Sequence, residues 1–306
     1  MAAGGLSLQE SLPTPESASP PRRRQKAGRA SGHNRRFAER YGPWALVAGA
    51  SEGIGAAYAQ ALAARGLDIV LVARRVGPLD DLARRLHAEW GSHVRILPGD
   101  LGEPEFVASL PRSCADIEVG ILVYNAAFAP AGEFVSLPPD QLDRVVQVNV
   151  RAPLALVRMF LPPMLERGRG AVVLMSSLSG NQGSPYLAAY AASKAFNREL
   201  AESLWYEARA RGVDVVACCA GAVRTPGYRA ASQKDAPGTL EPVEVAEATL
   251  RSLGRGPVVI PGAVNRLANF LMTRVLPRRR AIAMMAASTM ALAPFTITDN
   301  EPEEAK

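Results

Sequence analysis

The stretch that decides the fold is residues 44–73, WALVAGASEGIGAAYAQALAARGLDIVLVA. Its first five residues are apolar and predict a buried strand. A glycine-rich turn, GASEGIG, follows, and an alanine-rich stretch after it predicts a helix. The closing run DIVLVA predicts a second strand, at the spacing that a right-handed βαβ unit requires. This order predicts the start of a parallel sheet whose strands are joined by helices.

The glycine turn has the features of an anion-binding site. Glycines let a backbone turn tightly and approach a pyrophosphate, while the N-terminus of the next helix offers free N–H groups and a positive dipole end. A loop that only needs flexible residues is the simpler interpretation. The flanking strands favour the binding site, to which we assign Gly49, Ser51, Gly53, Ile54 and Gly55.

The alternation of apolar runs and helical stretches continues along the chain. Further strand runs lie at about 93–98, 119–124, 171–177, 213–220 and 257–261. We therefore predict an α/β fold, a Rossmann-type doubly wound parallel sheet of about seven strands covered on both faces. Polar residues follow the ends of these strands, where such sheets carry their sites: Asp100, Asn125, Ser177 and Thr225.

Tyr190 and Lys194 are one helical turn apart in the run YAASK and share a face of the predicted helix. A phenol with a pKa near 10 is a poor acid or base at neutral pH, but a nearby cation stabilises the phenolate and lowers that pKa. Such a tyrosine can carry out acid–base chemistry. By itself the spacing is also typical of simple packing beside a solvated charge.

The glycine turn and the Tyr-x-x-x-Lys pair together resemble the short-chain dehydrogenase/reductase family, over roughly residues 42–262. The segment Asn125-Ala126-Ala127 resembles the family's Asn-Ala-Gly, and Asn149 falls where the family has a helix asparagine. Ser177 lies 13 residues before Tyr190, at the position of the family's serine. The likeness is to members that reduce ketoacyl or hydroxysteroid compounds.

This resemblance implies a catalytic role for four residues. Tyr190 would donate a proton to a carbonyl oxygen as hydride arrives, and Lys194 would lower the pKa of the phenol and bond the nicotinamide ribose. Ser177 would hydrogen-bond the carbonyl oxygen, with Ser176 as the alternative serine. Asn149, on a helix distorted near a proline, would hold a water that relays protons to Lys194.

The second strand ends in Ala73-Arg74-Arg75, where a site that prefers NAD would carry an acidic residue. Two guanidinium groups suit a 2′-phosphate, which they can bind through charge-assisted hydrogen bonds. We therefore expect NADP(H), with Ser51 as a further contact to the phosphate. The alternative is that Arg74 and Arg75 only face solvent.

The resemblance also assigns the remaining cofactor contacts. Asp100 and Leu101 would contact adenine, although an Asp at a strand end can also cap a helix. Asn125 would lie beside the cofactor, and Val223 and Thr225 would hold the nicotinamide carboxamide.

Composition fits one catalytic domain with two flanking segments. The 306 residues are 48% apolar, which is enough for one core. We assign 1–40 to a disordered basic arm, 41–262 to the Rossmann domain and 263–306 to a helical extension with its tail. The arm lacks the apolar region of a secretory signal and has no interleaved aromatic residues, so neither secretion nor nucleic-acid binding is expected.

Cysteine and histidine usage argues against a disulfide framework and a metal site. Cys114 stands alone, Cys218 and Cys219 are adjacent on a predicted strand, and the three histidines do not cluster with cysteines. We expect a cytoplasmic protein, with membrane association as an alternative for the extension.

The extension contains an amphipathic helix. Its apolar positions recur at helical spacing, at Val264, Leu267, Ala268, Leu271, Met272, Val275 and Leu276. Its polar side holds Asn265, Arg266, Asn269 and Arg274. Three interpretations compete: the helix packs on its own fold or a partner subunit, it walls an apolar substrate pocket, or it rests on an anionic membrane surface as a peripheral contact.

Residues near the pocket suggest how substrate is held. Residues 227–241 predict a mobile flap, and Tyr186 and Leu187 would face the pocket by family position. Asn181 and Gln182 could bond the substrate or only shape their loop.

The sequence therefore predicts an NADPH-dependent oxidoreductase that interconverts a ketone and a secondary alcohol. The expected substrate is hydrophobic, such as a 3-oxoacyl thioester, a steroid or a related lipid. The alternative is an NADP(H)-binding regulatory or structural protein on the same scaffold. The resemblance suggests a homodimer or homotetramer.

Overall fold

The computed structural model describes residues 32–231 and 234–292. In that part of the chain, seven parallel strands form one sheet of order β3-β2-β1-β4-β5-β6-β7. The strands are β1 (Trp44–Ala48), β2 (Asp68–Ala73), β3 (Val94–Pro98), β4 (Val119–Tyr124), β5 (Gly170–Ser177), β6 (Val213–Ala220) and β7 (Val258–Val259). The predicted Rossmann-type sheet is confirmed, and only β7 is clearly shorter than expected.

The helices connect the strands and continue past the sheet. They are α1 (Gly32–Tyr41), α2 (Gly53–Ala63), α3 (Val76–Trp90), α4 (Pro104–Ser113), α5 (Pro139–Val146), α6 (Ala152–Arg167), α7 (Ala188–Arg209), α8 (Pro226–Ala231), α9 (Pro242–Ser252), α10 (Ala263–Phe270) and α11 (Arg278–Leu292). Short 3-10 turns lie at Phe134–Ser136 and Leu178–Asn181, and π-helical turns at Gln147–Arg151 and Leu271–Val275.

The sheet is buried on both faces because successive strand residues point to opposite sides. Ala45 and Val47 of β1 belong to one apolar layer, which α1, α2, α3 and α9 complete. Leu46 and Ala48 belong to the other layer, with α4, α6 and α7. Covering both faces leaves the loops at the carboxyl ends of the strands as the place for a site.

The order of the strands changes direction between β1 and β4. All strands are parallel, but β2 and β3 are added on one side of β1, whereas β4 to β7 are added in turn on its other side. The loops that follow β1 and β4 therefore diverge, and a crevice opens between them at the carboxyl edge.

Helix α1 corrects part of the predicted disordered arm. Residues 32–40 of that arm are helical, and Phe37 and Tyr41 are buried with their ring centroids 4.8 Å apart. The Tyr41 hydroxyl donates to Asp214 Oδ2 at 2.5 Å, and Arg40 Nη2 donates to the same oxygen at 2.8 Å. Burial of these two aromatic side chains, one helical turn apart, stabilises a helix in a segment whose basic composition predicted disorder. Residues 1–31 lie outside the described part.

The C-terminal extension is helical as predicted, but the predicted apolar side of α10 faces away from the protein. Val264 and Leu267 are exposed, whereas Asn265 is buried against the loop that precedes it. Leu271 and Val275 are exposed as well, whereas Ala268, Met272 and Leu276 of the predicted apolar stripe are half-buried. None of the described helices is both long enough and apolar enough to cross a bilayer.

Candidate active site

The glycine turn after β1 is packed too closely for side chains. Gly49 has φ +85°, and a Cβ there would lie 2.6 Å from the Ala126 nitrogen. A Cβ on Gly55 would lie 2.0 Å from the Gly49 oxygen. Asn125 Nδ2 donates to that same Gly49 oxygen at 2.9 Å, so this predicted cofactor residue braces the turn. The result is a fixed turn at the N-terminus of α2.

A cleft of about 730 Å³ runs along the carboxyl edge of the sheet. Its walls come from the end of β5, from the segments that follow the other strands from β1 to β6, and from α7. The structure brings to it nearly every predicted site residue: Gly49, Ser51, Gly53, Ile54, Arg74, Arg75, Asp100, Leu101, Asn125, Ser177, Tyr190, Lys194, Val223 and Thr225. Gly55 and Asn149 lie behind the lining.

Tyr190, Lys194 and Ser177 meet at the inner end of this cleft. The Lys194 ammonium lies 5.5 Å from the centroid of the Tyr190 ring and donates to the Met175 carbonyl at 2.9 Å. Tyr190 and Ser177 both line the cleft, and Ser177 influences the pKa of the Tyr190 phenol. Ser177 Oγ also accepts the Ser179 N–H at 3.2 Å. The predicted shared face of α7 thus brings phenol and ammonium together.

The pKa of Tyr190 shifts in the direction opposite to our expectation. Burial raises it, and the hydrogen bond with Ser177 only partly opposes that rise. Burial also lowers the pKa of Lys194 from 10.5 to about 8. Desolvation therefore dominates at both groups, and both are shifted toward their neutral forms.

The structure separates the two candidate serines. Ser176 is buried, and its Oγ donates to the Lys194 carbonyl at 2.7 Å, which fixes α7 against β5. Neighbouring residues of a strand point to opposite faces, so Ser177 turns toward Tyr190 instead. Of the two serines, Ser177 is the one that influences the Tyr190 phenol.

Asn149 lies in the π-helical turn Gln147–Arg151, where a distorted backbone was expected. Pro153 has no N–H to offer the Asn149 carbonyl, four residues before it. Instead, Asn197 Nδ2 donates to that carbonyl at 3.1 Å. Asn149 is fully buried and its side chain bonds both backbone groups of Phe128, at 2.8 Å each.

Two polar residues of α7 were missing from the sequence prediction. Asn197 is fully buried, and Ser193 Oγ accepts Asn149 Nδ2 at 3.0 Å. The signal was present, because residues 193 and 197 lie three and seven positions after Tyr190 on the same helix face. They make α7 the support for the π-helical turn.

The two arginines at the outer end of the cleft differ in their surroundings. Both are exposed, but Arg75 Nη2 pairs with Glu52 Oε2 at 2.5 Å and approaches Ser51 Oγ at 3.3 Å. Arg74 forms no ion pair within the described residues. Glu52, which the sequence reasoning missed, places a carboxylate next to the expected phosphate site.

Asp100 is held by charge and does not cap a helix. Arg144 Nη2 donates to its Oδ2 at 2.7 Å, and the Gly102 N–H to its Oδ1 at 2.9 Å. Burial opposes ionisation, but these bonds and the nearby Arg74 keep the pKa of Asp100 below its ordinary value. Helix α4 begins only at Pro104. Arg144 is a further residue of the cleft that the sequence did not indicate.

The segment after β6 is braced from several sides. Thr225 Oγ1 accepts the Tyr228 N–H at 3.1 Å, while Val223 is buried and forms a bridge with Leu240. The predicted flap starts as α8, and the Tyr228 hydroxyl accepts the Ala236 N–H at 2.9 Å. Residues 232–233 of that flap lie outside the described ranges.

The loop after β5 holds Tyr186 and Leu187, which we expected to face the pocket but which are not among the residues that line the cleft. Tyr186 has φ +66°, a left-handed conformation that is costly for a bulky side chain. Asn181 Oδ1 accepts Arg198 Nη1 at 2.7 Å, and its Nδ2 donates to Asn269 Oδ1 at 2.6 Å. These bonds favour the interpretation that Asn181 shapes its loop. Gln182 is buried.

The three cysteines are buried and unpaired, and no group of three or more His, Cys, Asp or Glu in residues 32–231 and 234–292 could hold a metal ion.

The chain is similar in sequence and in structure to known proteins. A family model described as short chain dehydrogenase matches residues 43–236. The 7beta-hydroxysteroid dehydrogenase of Clostridium sardiniense is 34% identical over 233 residues, 75% of this chain and 89% of that protein. The human inactive hydroxysteroid dehydrogenase-like protein 1 is 37% identical over 180 residues, 58% of this chain and only 54% of that protein. A short-chain dehydrogenase from Sphingobium yanoikuyae, solved in complex with NADPH, superposes with a TM-score of 0.66 at 30% identity, covering 86% of this chain and all of the other.

Proposed function

Because the chain belongs to the short-chain dehydrogenase/reductase family of oxidoreductases, we propose that it interconverts a ketone and a secondary alcohol with NADP(H). The observation that carries this proposal is the meeting of Ser177, Tyr190 and Lys194 in one cleft with the glycine turn. A protein that only binds a nucleotide has no need of that trio.

The cleft suits NADP(H) in shape and charge. The closely packed glycines keep the N-terminus of α2 free for a pyrophosphate. At the outer end, the exposed guanidinium of Arg74 and the adjacent Arg75 suit a 2′-phosphate. The similar protein from Sphingobium yanoikuyae was solved with NADPH.

Bound NADPH would supply the hydride, and the protein's own residues would manage the proton. Tyr190 holds its proton firmly because burial raises its pKa, so at neutral pH it is a donor to the carbonyl oxygen. Ser177, which lines the cleft with Tyr190, would give that oxygen a second hydrogen bond, which strengthens as negative charge develops. Lys194, with a pKa of about 8, lies behind the phenol as a nearby source of a replacement proton.

We further propose a hydrophobic substrate, in line with the steroid named for the Clostridium sardiniense relative. Assembly into a homodimer or homotetramer and a cytoplasmic location remain expectations of the same proposal.

The test is NADPH oxidation against steroid, 3-oxoacyl and aryl ketones, with Tyr190→Phe as the variant. We expect Tyr190→Phe to lower kcat by about 10²- to 10⁴-fold, because the proton donor is lost while binding of NADPH is kept. The matched control is Tyr206→Phe on the same helix, 67% exposed, which should keep full activity.

The alternative function is NADP(H) binding in a regulatory role. The similar human protein, whose name describes it as inactive, supports this alternative. It would be supported if NADPH bound tightly, no ketone was reduced, and Tyr190→Phe changed neither result.

A further inference from the structure

Helix α10 and the π-helical turn after it are attached to the protein by polar side chains. Asn265 Nδ2 donates to the carbonyls of Gly238 and Pro261, at 3.0 Å each. One turn later, Asn269 Oδ1 accepts Asn181 Nδ2 at 2.6 Å. The asparagine side of the helix is therefore the inner side.

Large apolar residues occupy the opposite side, which we call the outer apolar face. Between 41% and 60% of each of these residues is exposed: Val264, Leu267, Phe270, Leu271 and Val275. A contiguous exposed apolar face of this kind is typical of a site that binds another protein, a membrane or a ligand. In the described part of the chain, nothing covers it.

Positive charge surrounds this face. Residues 263–292 contain no Asp or Glu and five arginines, which are Arg266, Arg274, Arg278, Arg279 and Arg280. All five are exposed, and none forms an ion pair with another described residue. An apolar helix face bordered by exposed arginines matches a surface with an apolar interior and negative headgroups.

We propose that the outer apolar face docks on an anionic membrane surface. The apolar side chains enter the boundary between headgroups and acyl chains, and the arginines contact lipid phosphates. The helix lies in the plane of the membrane and does not cross it.

Charge argues against a second copy as the occupant. A symmetric dimer through this face would bring the same five arginines together from both subunits. The chain's own residues 293–306 are a third occupant to test, because they carry four acidic residues: Asp299, Glu301, Glu303 and Glu304.

The experiment is flotation of the full chain with phosphatidylcholine vesicles, with and without phosphatidylserine. We expect binding to the vesicles that contain phosphatidylserine and loss of that binding as salt is raised. Leu267→Glu with Leu271→Glu should abolish it. Replacing Arg278, Arg279 and Arg280 by Gln should weaken it by at least about tenfold.

Two controls keep the result interpretable. Val135→Glu changes an 88% exposed apolar residue outside the extension and should bind like the unchanged chain. Thermal unfolding of each variant should match that of the unchanged chain, which shows that lost binding is not lost folding.

Three results would overturn the proposal. The first is no flotation with either vesicle. The second is a dimer by light scattering that Leu267→Glu with Leu271→Glu converts to a monomer, without vesicle binding, which assigns the face to a second copy. The third is binding only by a chain that ends at Leu292, which assigns the face to the chain's own tail.

Discussion

Lys194 carries an almost completely buried amine beside the ring of Tyr190. Its spacing from Tyr190 predicted the shared helix face, and the structure places the two side chains together. The pKa of Tyr190 was predicted in the wrong direction, since the balance depends on how much water each group loses. With only 2% of Lys194 exposed, desolvation dominates.

Replacing Lys194 by Met tests this desolvation. Below pH 8, Lys194 is charged in both folded and unfolded chains, and the folded state bears the cost of burying the charge. Between about pH 8 and 10.5, it is neutral when folded and charged when unfolded, so the unfolded chain binds more protons and stability rises with pH. We expect the stability advantage of Lys194→Met to shrink by about 3 kcal/mol across that range.

The measurement is urea unfolding of both proteins below pH 8 and near pH 10.5. Burial raises the pKa of Cys218 to about 12 and of Cys114 to about 11, which lowers stability at alkaline pH in both proteins. Removing Lys194 can only raise the pKa of Cys218 further, so near pH 10.5 the folded Cys218 thiol stays protonated in both proteins and these contributions cancel in the difference. A difference that stays constant with pH would contradict the prediction.

At the outer end of the cleft, the sequence identified Arg74 and Arg75 but missed Glu52. The reason is that an ion pair across a turn depends on where two loops meet, which residue spacing does not indicate. Glu52 and Arg75 lie 2.5 Å apart in space and 23 positions apart in the chain.

Among the elements, the π-helical turn Gln147–Arg151 follows from a single proline. Pro153 leaves the Asn149 carbonyl without its helical partner, and Asn197 provides a replacement donor. The sequence predicted the distortion from the proline, but it did not identify Asn197, which lies on a different helix.

This pairing predicts a rescue between two variants. Asn197→Ala leaves the buried Asn149 carbonyl without a donor and should lower the free energy of unfolding by about 1–3 kcal/mol. Adding Pro153→Ala returns an N–H to the helix, so the double variant should recover much of that loss. Urea unfolding of both single variants and the double variant measures it.

Ser203→Ala is the control, because Ser203 Oγ bonds only its own helix, at the Glu199 carbonyl, 2.9 Å away. Strictly additive losses from Asn197→Ala and Pro153→Ala would argue against the proposed replacement of one donor by the other.

Helix α10 shows a limit of periodicity. The spacing correctly predicted a helix with an apolar and a polar side, but not which side meets the protein. Asn265 and Asn269 decide that, through partners at Gly238 and Asn181 that are distant in the chain. In α1, by contrast, the basic composition led to a prediction of disorder, and the contact between Phe37 and Tyr41 that holds the helix to the fold was overlooked.

For the molecule as a whole, the cleft joins both halves of the sheet. Its walls come from the segments after β1, β2 and β3 on one side, and on the other from the segments after β4 and β6 and the end of β5. A ligand that contacts all of them stabilises the whole fold. The sequence predicted this arrangement well, because glycine turns and strand-end polar residues are local signals.

Ligand binding should therefore raise global stability and report cofactor preference. At 100 times its Kd, NADPH should raise the free energy of unfolding by about 2.7 kcal/mol, in one cooperative transition. NADH at the same concentration should raise it less. In the variant Arg74→Ala with Arg75→Ala, the two effects should become equal, because the phosphate loses its partners.

Thermal unfolding with each nucleotide gives the measurement. The prediction about cofactor preference fails if NADH and NADPH stabilise the unchanged chain equally, or if the double arginine variant keeps the preference for NADPH.

The strand order also bears on how the chain can assemble during synthesis. Strands β1, β2 and β3 are neighbours in the sheet and can pair once residue 98 has left the ribosome, and each of β4 to β7 can then join the edge left free by an earlier strand. A chain leaving the ribosome can thus widen the sheet one strand at a time without breaking a pair already formed. The extension follows β7 in the chain and bonds the loop after β5 through Asn181, so that loop gains this partner only after the seven strands have been made.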